Sequence, residues 1–158
     1  MLLQNHIELL SNHAKKNVPN ESCAILFGKI ENETFNVKDV FLTKNTENSP
    51  VNFTISNDEL LAAYREAEKR KLEVIGIFHS HPDSIAYPSL TDKKYMEINP
   101  VPWVIFSNKN KEFKAYIFES EIISISLEIK YNYLWIFFLC LSKCSLSKNV
   151  ASHSLHLS

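Results

Sequence analysis

Leu3, Ile7, Leu10 and Ala14 recur at helical spacing near the start of the chain. They predict an amphipathic helix over residues 2–16, ended by Pro19 and Asn20. The pattern then changes. Cys23-Ala24-Ile25-Leu26-Phe27 is a continuous apolar run, as expected of a strand covered on both faces. The polar stretch from Glu31 to Thr34 reads as a turn, and Phe35, Val37, Val40 and Leu42 predict a half-buried second strand. Residues 43–50 are loop-like in composition. Val51, Phe53 and Ile55 alternate with polar neighbours and predict a short strand over 51–55.

Ser56 with Glu59 three residues later has the form of a capping box, and Asp58 and Glu59 suit a helix N-terminus. The apolar side of the helix that follows includes Leu60, Ala63, Tyr64 and Ala67, and the basic run Lys69-Arg70-Lys71 suits its C-terminus. Residues 73–80 read as a core strand. The segment 82–88 contains Pro82 and Pro88 and is predicted as loop, and 90–98 as a short helix. Strands are predicted over 102–107 and 113–118, joined by a turn at 108–111, and over 122–129. Helices and strands mix without a regular βαβ rhythm or internal repeats. The fold class is therefore α/β of the mixed α+β kind, with antiparallel pairs rather than a doubly wound parallel sheet.

Composition narrows the function. A chain of 158 residues with 45% hydrophobic content can bury one core. A net charge of −1 gives no basis for phosphate neutralisation, so no nucleic-acid partner is expected. Gly28 and Gly76 are the only glycines and lie far apart, which excludes a Gly-rich phosphate cradle. Three cysteines are too few for a disulfide scaffold. With no signal-peptide pattern at the start, a reducing, cytoplasmic setting is expected. Cys23 sits in the apolar run and reads as a core thiol rather than a nucleophile. His6 and His13 read as surface or boundary residues of the first helix.

The charge is not evenly spread. All 18 acidic residues and 14 of the 17 basic ones lie in 1–128, so that part carries −4 and the remainder +3. Tyr131 to Leu141 is strongly apolar but short of the roughly 20 residues a spanning helix needs, so no membrane span is expected. The reading is one working domain over 1–130 and a tail over 131–158 outside the catalytic core. Cys140, Cys144, His153 and His156 offer metal-binding residue types there, but an unstructured appendage is the simpler reading.

The informative stretch runs from His79 to Asp92. Two histidines at i and i+2 on a strand point to one face, here at the open end of an apolar strand. Imidazole suits zinc, and Asp92, returned by the proline-bearing loop, is the candidate third ligand. Such a set leaves a fourth position for water, the mark of a catalytic zinc. Two plainer readings stand beside it. The histidines are ordinary polar residues at a strand end, and Ser89 with Asp92 is only a helix start. Yet two His, one Ser and one Asp at these offsets arise by chance on the order of once in several thousand chains of this length.

His-x-His, seven residues, Ser, two residues, Asp resembles the JAMM motif of the MPN+ metalloproteases, matched at His79, His81, Ser89 and Asp92. The flanking HSHP and PSLTD are of the same type. Glu21, in Pro19-Asn20-Glu21-Ser22-Cys23, matches the family's upstream glutamate. Phe53-Thr54-Ile55, then a helix, then the strand into His79 follows the family layout. The resemblance covers about 1–128. It implies a cytidine-deaminase-like curved mixed sheet flanked by helices. It implies one zinc held by His79, His81 and Asp92, with Glu21 accepting a proton from the zinc-bound water and passing one to the leaving amine. Ser89 would donate to the oxyanion. Glu8, Glu31 and Glu33 are other carboxylates available for the role of Glu21, but none sits at the strand entry.

The resemblance further implies an isopeptidase cutting after the Gly-Gly tail of a ubiquitin-like protein. That tail is held as an added strand, and residues 43–55 are expected to border its channel. The compact form is similar to the stand-alone prokaryotic type, with ubiquitin-like modifiers or sulfur-carrier proteins as substrates. A peptidase trimming sulfur carriers in cysteine or cofactor synthesis shares the same metal site. A non-catalytic MPN scaffold is the alternative from another class, though members of that branch lack the ligand set filled here.

Deleting residues 131–158 should leave folding and activity intact. A thermal melt of the truncated chain checks this, and loss of the cooperative transition would contradict it.

Overall fold

In the computed structural model, which describes residues 1–131, the chain runs β1 (Leu2–Leu3), α1 (Gln4–Asn17), β2 (Cys23–Glu31), β3 (Thr34–Thr43), α2 (Asn57–Lys69), β4 (Glu73–His81), α3 (Leu90–Ile98), β5 (Trp103–Ser107), β6 (Glu112–Phe118), β7 (Ile122–Ile125) and β8 (Ile129–Lys130). Six strands form one sheet in the order β3-β2-β4-β5-β6-β7, and β1 pairs with β8 in a separate two-stranded element. Only β4 and β5 run parallel within the large sheet. The fold is therefore α+β, with a mixed sheet flanked by helices. The tail residues beyond 131, including Cys140, Cys144, His153 and His156, lie outside the described residues.

Alternation along β2 explains its continuous apolar run. Ala24 and Leu26 pack with Leu10 and Ala14 of α1. Ile25 and Phe27 point the other way, to Ala63 and Ala67 of α2. The two central strands beyond it repeat the division: Phe78, Val104 and Phe106 join the α1 side, while Ile77, Trp103 and Ile105 pack with Met96 of α3. Helix α1 thus covers one face of the sheet, and α2 and α3 cover the other. Among the described residues no helix is long and apolar enough to cross a membrane.

Several features differ from the sequence reading. Strand β2 continues past Phe27 to Glu31, because its last residues extend beyond the covering helices as an exposed hairpin arm. Asn32 and Glu33 close that hairpin with positive φ of 48° and 62°, the conformation a tight two-residue turn requires. The strand predicted over 122–129 breaks after Ile125, and residues 129–130 pair instead with β1. His6, expected as a surface or boundary residue, is buried, and its Nδ1 accepts the Leu3 N–H at 3.3 Å.

The strand predicted over 51–55 is absent. Its backbone is engaged elsewhere: Asn45 Nδ2 donates to Asn52 O at 3.0 Å, and Asn45 Oδ1 accepts the Thr54 N–H at 3.2 Å. Thr46 N donates to Thr54 O at 3.0 Å. The apolar alternation is still used. Phe53 packs with Trp103 and Ile77, and Ile55 with the α2 cluster.

The scarce glycines sit where backbones approach. A Cβ on Gly28 would lie 2.1 Å from Asn36 O and 2.5 Å from Ile75 Cδ1. Register shifts in both pairings of β2 fall beside it, at Phe27/Gly28 and Leu26/Phe27. Gly28→Ala should destabilise the protein by about 1–3 kcal/mol through forced main-chain movement. Chemical denaturation measures this, and an unchanged midpoint would contradict it.

Candidate metal centre

Strand β4 lies between β2 and β5, with His79 opposite Cys23 on one side and Ile105 on the other. The pleat sends His79 and His81 to the same face, and their Nε2 atoms stand 3.0 Å apart. Asp92, in the first turn of α3, places Oδ1 3.4 Å from His79 Nε2 and Oδ2 3.5 Å from His81 Nε2. All three residues are buried, and their candidate ligand atoms lie within 4.8 Å of one another.

Asp92 is aimed by the helix cap. Ser89 is the N-cap of α3, and its Oγ accepts the Asp92 N–H at 3.1 Å. The Ser89 N–H in turn donates to Asp92 Oδ2 at 2.7 Å. The helix-start reading and the ligand reading of this pair therefore hold together: one reciprocal cap both starts α3 and fixes the carboxylate. Because Oγ is used here as an acceptor, its single O–H remains available as a donor.

The histidines are oriented differently. His81 Nδ1 donates to Ile85 O at 2.8 Å, so in the neutral ring Nε2 would carry the lone pair facing the cluster. His79 is fully buried, stacked on Phe53 with ring centroids 4.8 Å apart and meeting the Trp103 edge at 5.8 Å. Its Nδ1 has no hydrogen-bond partner.

These residues fit a single zinc ion. Tetrahedral ligands about 2.0–2.1 Å from zinc are about 3.3 Å from one another; the two Nε2 atoms are 3.0 Å apart, and each has a different Asp92 oxygen near it, at 3.4 and 3.5 Å. Two imidazoles and a carboxylate are a zinc donor set that leaves one position open. Two of the three charge states suit a metal, and His81 would give up its proton on binding one. Burial lowers the pKa of His79 and favours its neutral form. Burial would raise Asp92, but the donors on His79 and His81 outweigh it and hold the carboxyl well below the usual range. Burial likewise opposes protonation of His81, but Asp92, the Ile85 carbonyl and Glu21 outweigh it and raise the pKa. A neutral His79 and an ionised Asp92 are the forms a metal requires.

Glu21 joins the cluster from the entry to β2, its Oε1 3.8 Å from His81 Nε2 and its side chain buried. Burial pushes its carboxyl up to about 7, with His81 pulling in the opposite direction. The next residue is pinned to β4: Ser22 N donates to Ser80 Oγ at 3.0 Å, and Ser80 N to Ser22 O at 2.9 Å. The other glutamates lie elsewhere, Glu8 exposed on α1 and Glu31 and Glu33 at the β2–β3 turn. Cys23 is buried, accepts from Thr43 Oγ1 at 3.3 Å, and its thiol is raised to about 11 by that burial, which makes it inert. The sequence reading placed 43–55 near the site but missed the individual contacts that shape it: Phe53 and Trp103 against His79, the Ile85 carbonyl on His81, and the buried Asn45 beside Glu21. Phe53 carried a signal in its alternation; Asn45, in a polar loop, carried none.

Metal analysis of the purified protein should give about one zinc per chain, and His79→Ala should lose it. Zinc retained at wild-type stoichiometry in that variant would contradict the assignment.

The model for prokaryotic homologues of the JAB domain matches residues 3–118. A desampylase from Pyrococcus furiosus is 44% identical over 97 residues, 61% of this chain and 66% of that protein. A CysO-cysteine peptidase from Mycobacterium tuberculosis is 31% identical over 107 residues, 66% of this chain and 72% of that protein. The solution structure of a Desulfitobacterium hafniense protein superposes with a TM-score of 0.76 at 26% identity, covering 84% of this chain and 94% of that one. A JAB1/MPN domain protein from Archaeoglobus fulgidus shares the fold with a TM-score of 0.56 at 18% identity, over 82% of this chain and 95% of that one. The matched span contains Glu21, both histidines, Ser89 and Asp92, and the three ligands meet at one buried point: the chain belongs to the prokaryotic JAB family and carries its JAMM-type His-His-Asp triad.

Proposed function

We propose that the protein is a zinc-dependent isopeptidase that hydrolyses the bond after the Gly-Gly tail of a ubiquitin-like or sulfur-carrier protein. The observation that carries the reading is the buried Glu21 carboxylate standing 3.8 Å from His81 at the edge of the ligand triad. Zinc held by His79, His81 and Asp92 would supply Lewis-acid chemistry, polarising the scissile carbonyl and making the attacking water more acidic. Glu21 takes one proton from the attacking water and delivers one to the leaving nitrogen. A carboxyl pushed up to about 7 suits both halves of that task. The free O–H of Ser89 donates to the carbonyl oxygen as it gains charge. Phe53 and Trp103 close the apolar side of His79 and keep water from that ring.

Both substrate classes have support from the relatives, one called a desampylase and another a CysO-cysteine peptidase. The segment 51–55, with Phe53 on His79, supports the expectation that it borders the tail's channel. A non-catalytic scaffold has no use for a complete triad with a buried carboxylate beside it.

The test is cleavage of a Gly-Gly-linked ubiquitin-like fusion. Glu21→Gln should keep its zinc and lose about 10²–10⁴-fold in kcat; wild-type turnover would sink the assignment. Ser89→Ala should lose about 10²–10³-fold in kcat and about 1 kcal/mol of stability from the cap. Ser89→Thr, which keeps cap and donor, should retain most of the activity. Equal loss in both variants would remove Ser89 from the chemistry.

A further inference from the structure

We propose that Asn45 is the positioning residue that sets Glu21 at the metal centre, an inference that rests on the reading of Glu21 as the proton-transfer group. Glu21 lies outside the strand ladder, which begins at Cys23. Its main chain is held by the 45–49 loop instead. Its N–H donates to Ser49 O at 2.8 Å, and its carbonyl accepts from Asn45 Nδ2 at 3.1 Å.

The Asn45 carboxamide is buried and fully used. Nδ2 donates to Glu21 O and, at 3.0 Å, to Asn52 O. Oδ1 accepts from Glu47 N at 3.1 Å and Thr54 N at 3.2 Å. Two donors face two carbonyls and two lone pairs face two N–H groups, so only one orientation of the amide satisfies the site. One planar group thus clamps three chain segments. One carries Glu21, and another carries Phe53 onto the ring of His79. The carboxamide fixes the proton-transfer group relative to the wall of a metal ligand without itself being a ligand.

The neighbouring anchors are independent of it. Ser22 is tied to Ser80, and β2 is paired along both edges. Loss of the carboxamide therefore frees Glu21 locally and leaves the sheet in place. A misplacement of about 1 Å at a reacting group costs on the order of 10²-fold in rate.

The test compares zinc-loaded wild type, Asn45→Ala, Asn45→Asp and Glu21→Gln on the Gly-Gly-linked fusion, with crystal structures of the first two. Asn45→Ala should keep one zinc per chain, hold KM within about twofold and lose about 10–10²-fold in kcat per zinc-loaded chain. In its structure the Glu21 carboxylate should shift by about 1 Å or more while His79, His81 and Asp92 superpose. Asn45→Asp keeps both acceptor contacts but cannot donate to Glu21 O, so it should be as slow as Asn45→Ala. Wild-type kcat in Asn45→Ala, an unmoved Glu21, or rescue by Asn45→Asp would each overturn the inference. If Asn45→Ala does not fold, Asn45→Asp carries the kinetic test. Failure of both to fold would assign the carboxamide to folding alone and also overturn it. Full activity of Glu21→Gln overturns the reading of Glu21 itself; an inactive Glu21→Gln beside a fully active Asn45→Ala overturns only the role of Asn45.

Discussion

Three ionisable side chains, His79, His81 and Asp92, are buried within hydrogen-bonding reach of one another, and a fourth, Glu21, is buried beside them. Removing such groups from water costs several kcal/mol each unless partners or a metal take over the lost hydration. The surrounding fold is arranged to meet that cost. The Ile85 carbonyl accepts from His81, the Ser89 N–H supports Asp92, and the two imidazoles converge with the carboxylate on one point. Even so, His79 Nδ1 is left without a partner. A cation at the common point would compensate the converging Nε2 atoms and the carboxylate, not Nδ1, which lies on the other side of the ring.

This requirement explains why the pieces are assembled from distant sequence. A strand end supplies two ligands on one face because its pleat has a period of two. The third must come from the facing layer, and a helix N-terminus is suited to present a carboxylate there. The Ser89–Asp92 cap holds that carboxylate in place with the same hydrogen bonds that start α3. The fourth group arrives from the residue two before β2, the strand next to β4 in the sheet, and stands 3.8 Å from His81.

What could be read from the sequence follows from how local each signal is. The His-x-His spacing, the Ser-x-x-Asp cap and the apolar run after Glu21 each lie within a few residues, and the structure brings all of them together. The two-face burial of β2 is likewise written in its unbroken apolar run. Residues 51–55 show the limit. Their alternation announces burial of Phe53 and Ile55, but a strand also needs a partner for its backbone. That partner is taken by Asn45, a contact between two parts of a polar loop that periodicity does not encode. Asn45 and Trp103 matter through contacts far along the chain, so no local pattern marks them.

The central claim is that the buried cluster is a three-ligand zinc site with Glu21 at its open side. Anomalous diffraction at the zinc edge, from crystals of the protein grown with one equivalent of zinc, tests this most directly. The account predicts a single strong peak bonded to Nε2 of His79, Nε2 of His81 and a carboxylate oxygen of Asp92, with the Glu21 carboxylate facing the remaining position. A peak elsewhere, or a zinc whose fourth position is filled by Glu21 itself, would contradict it.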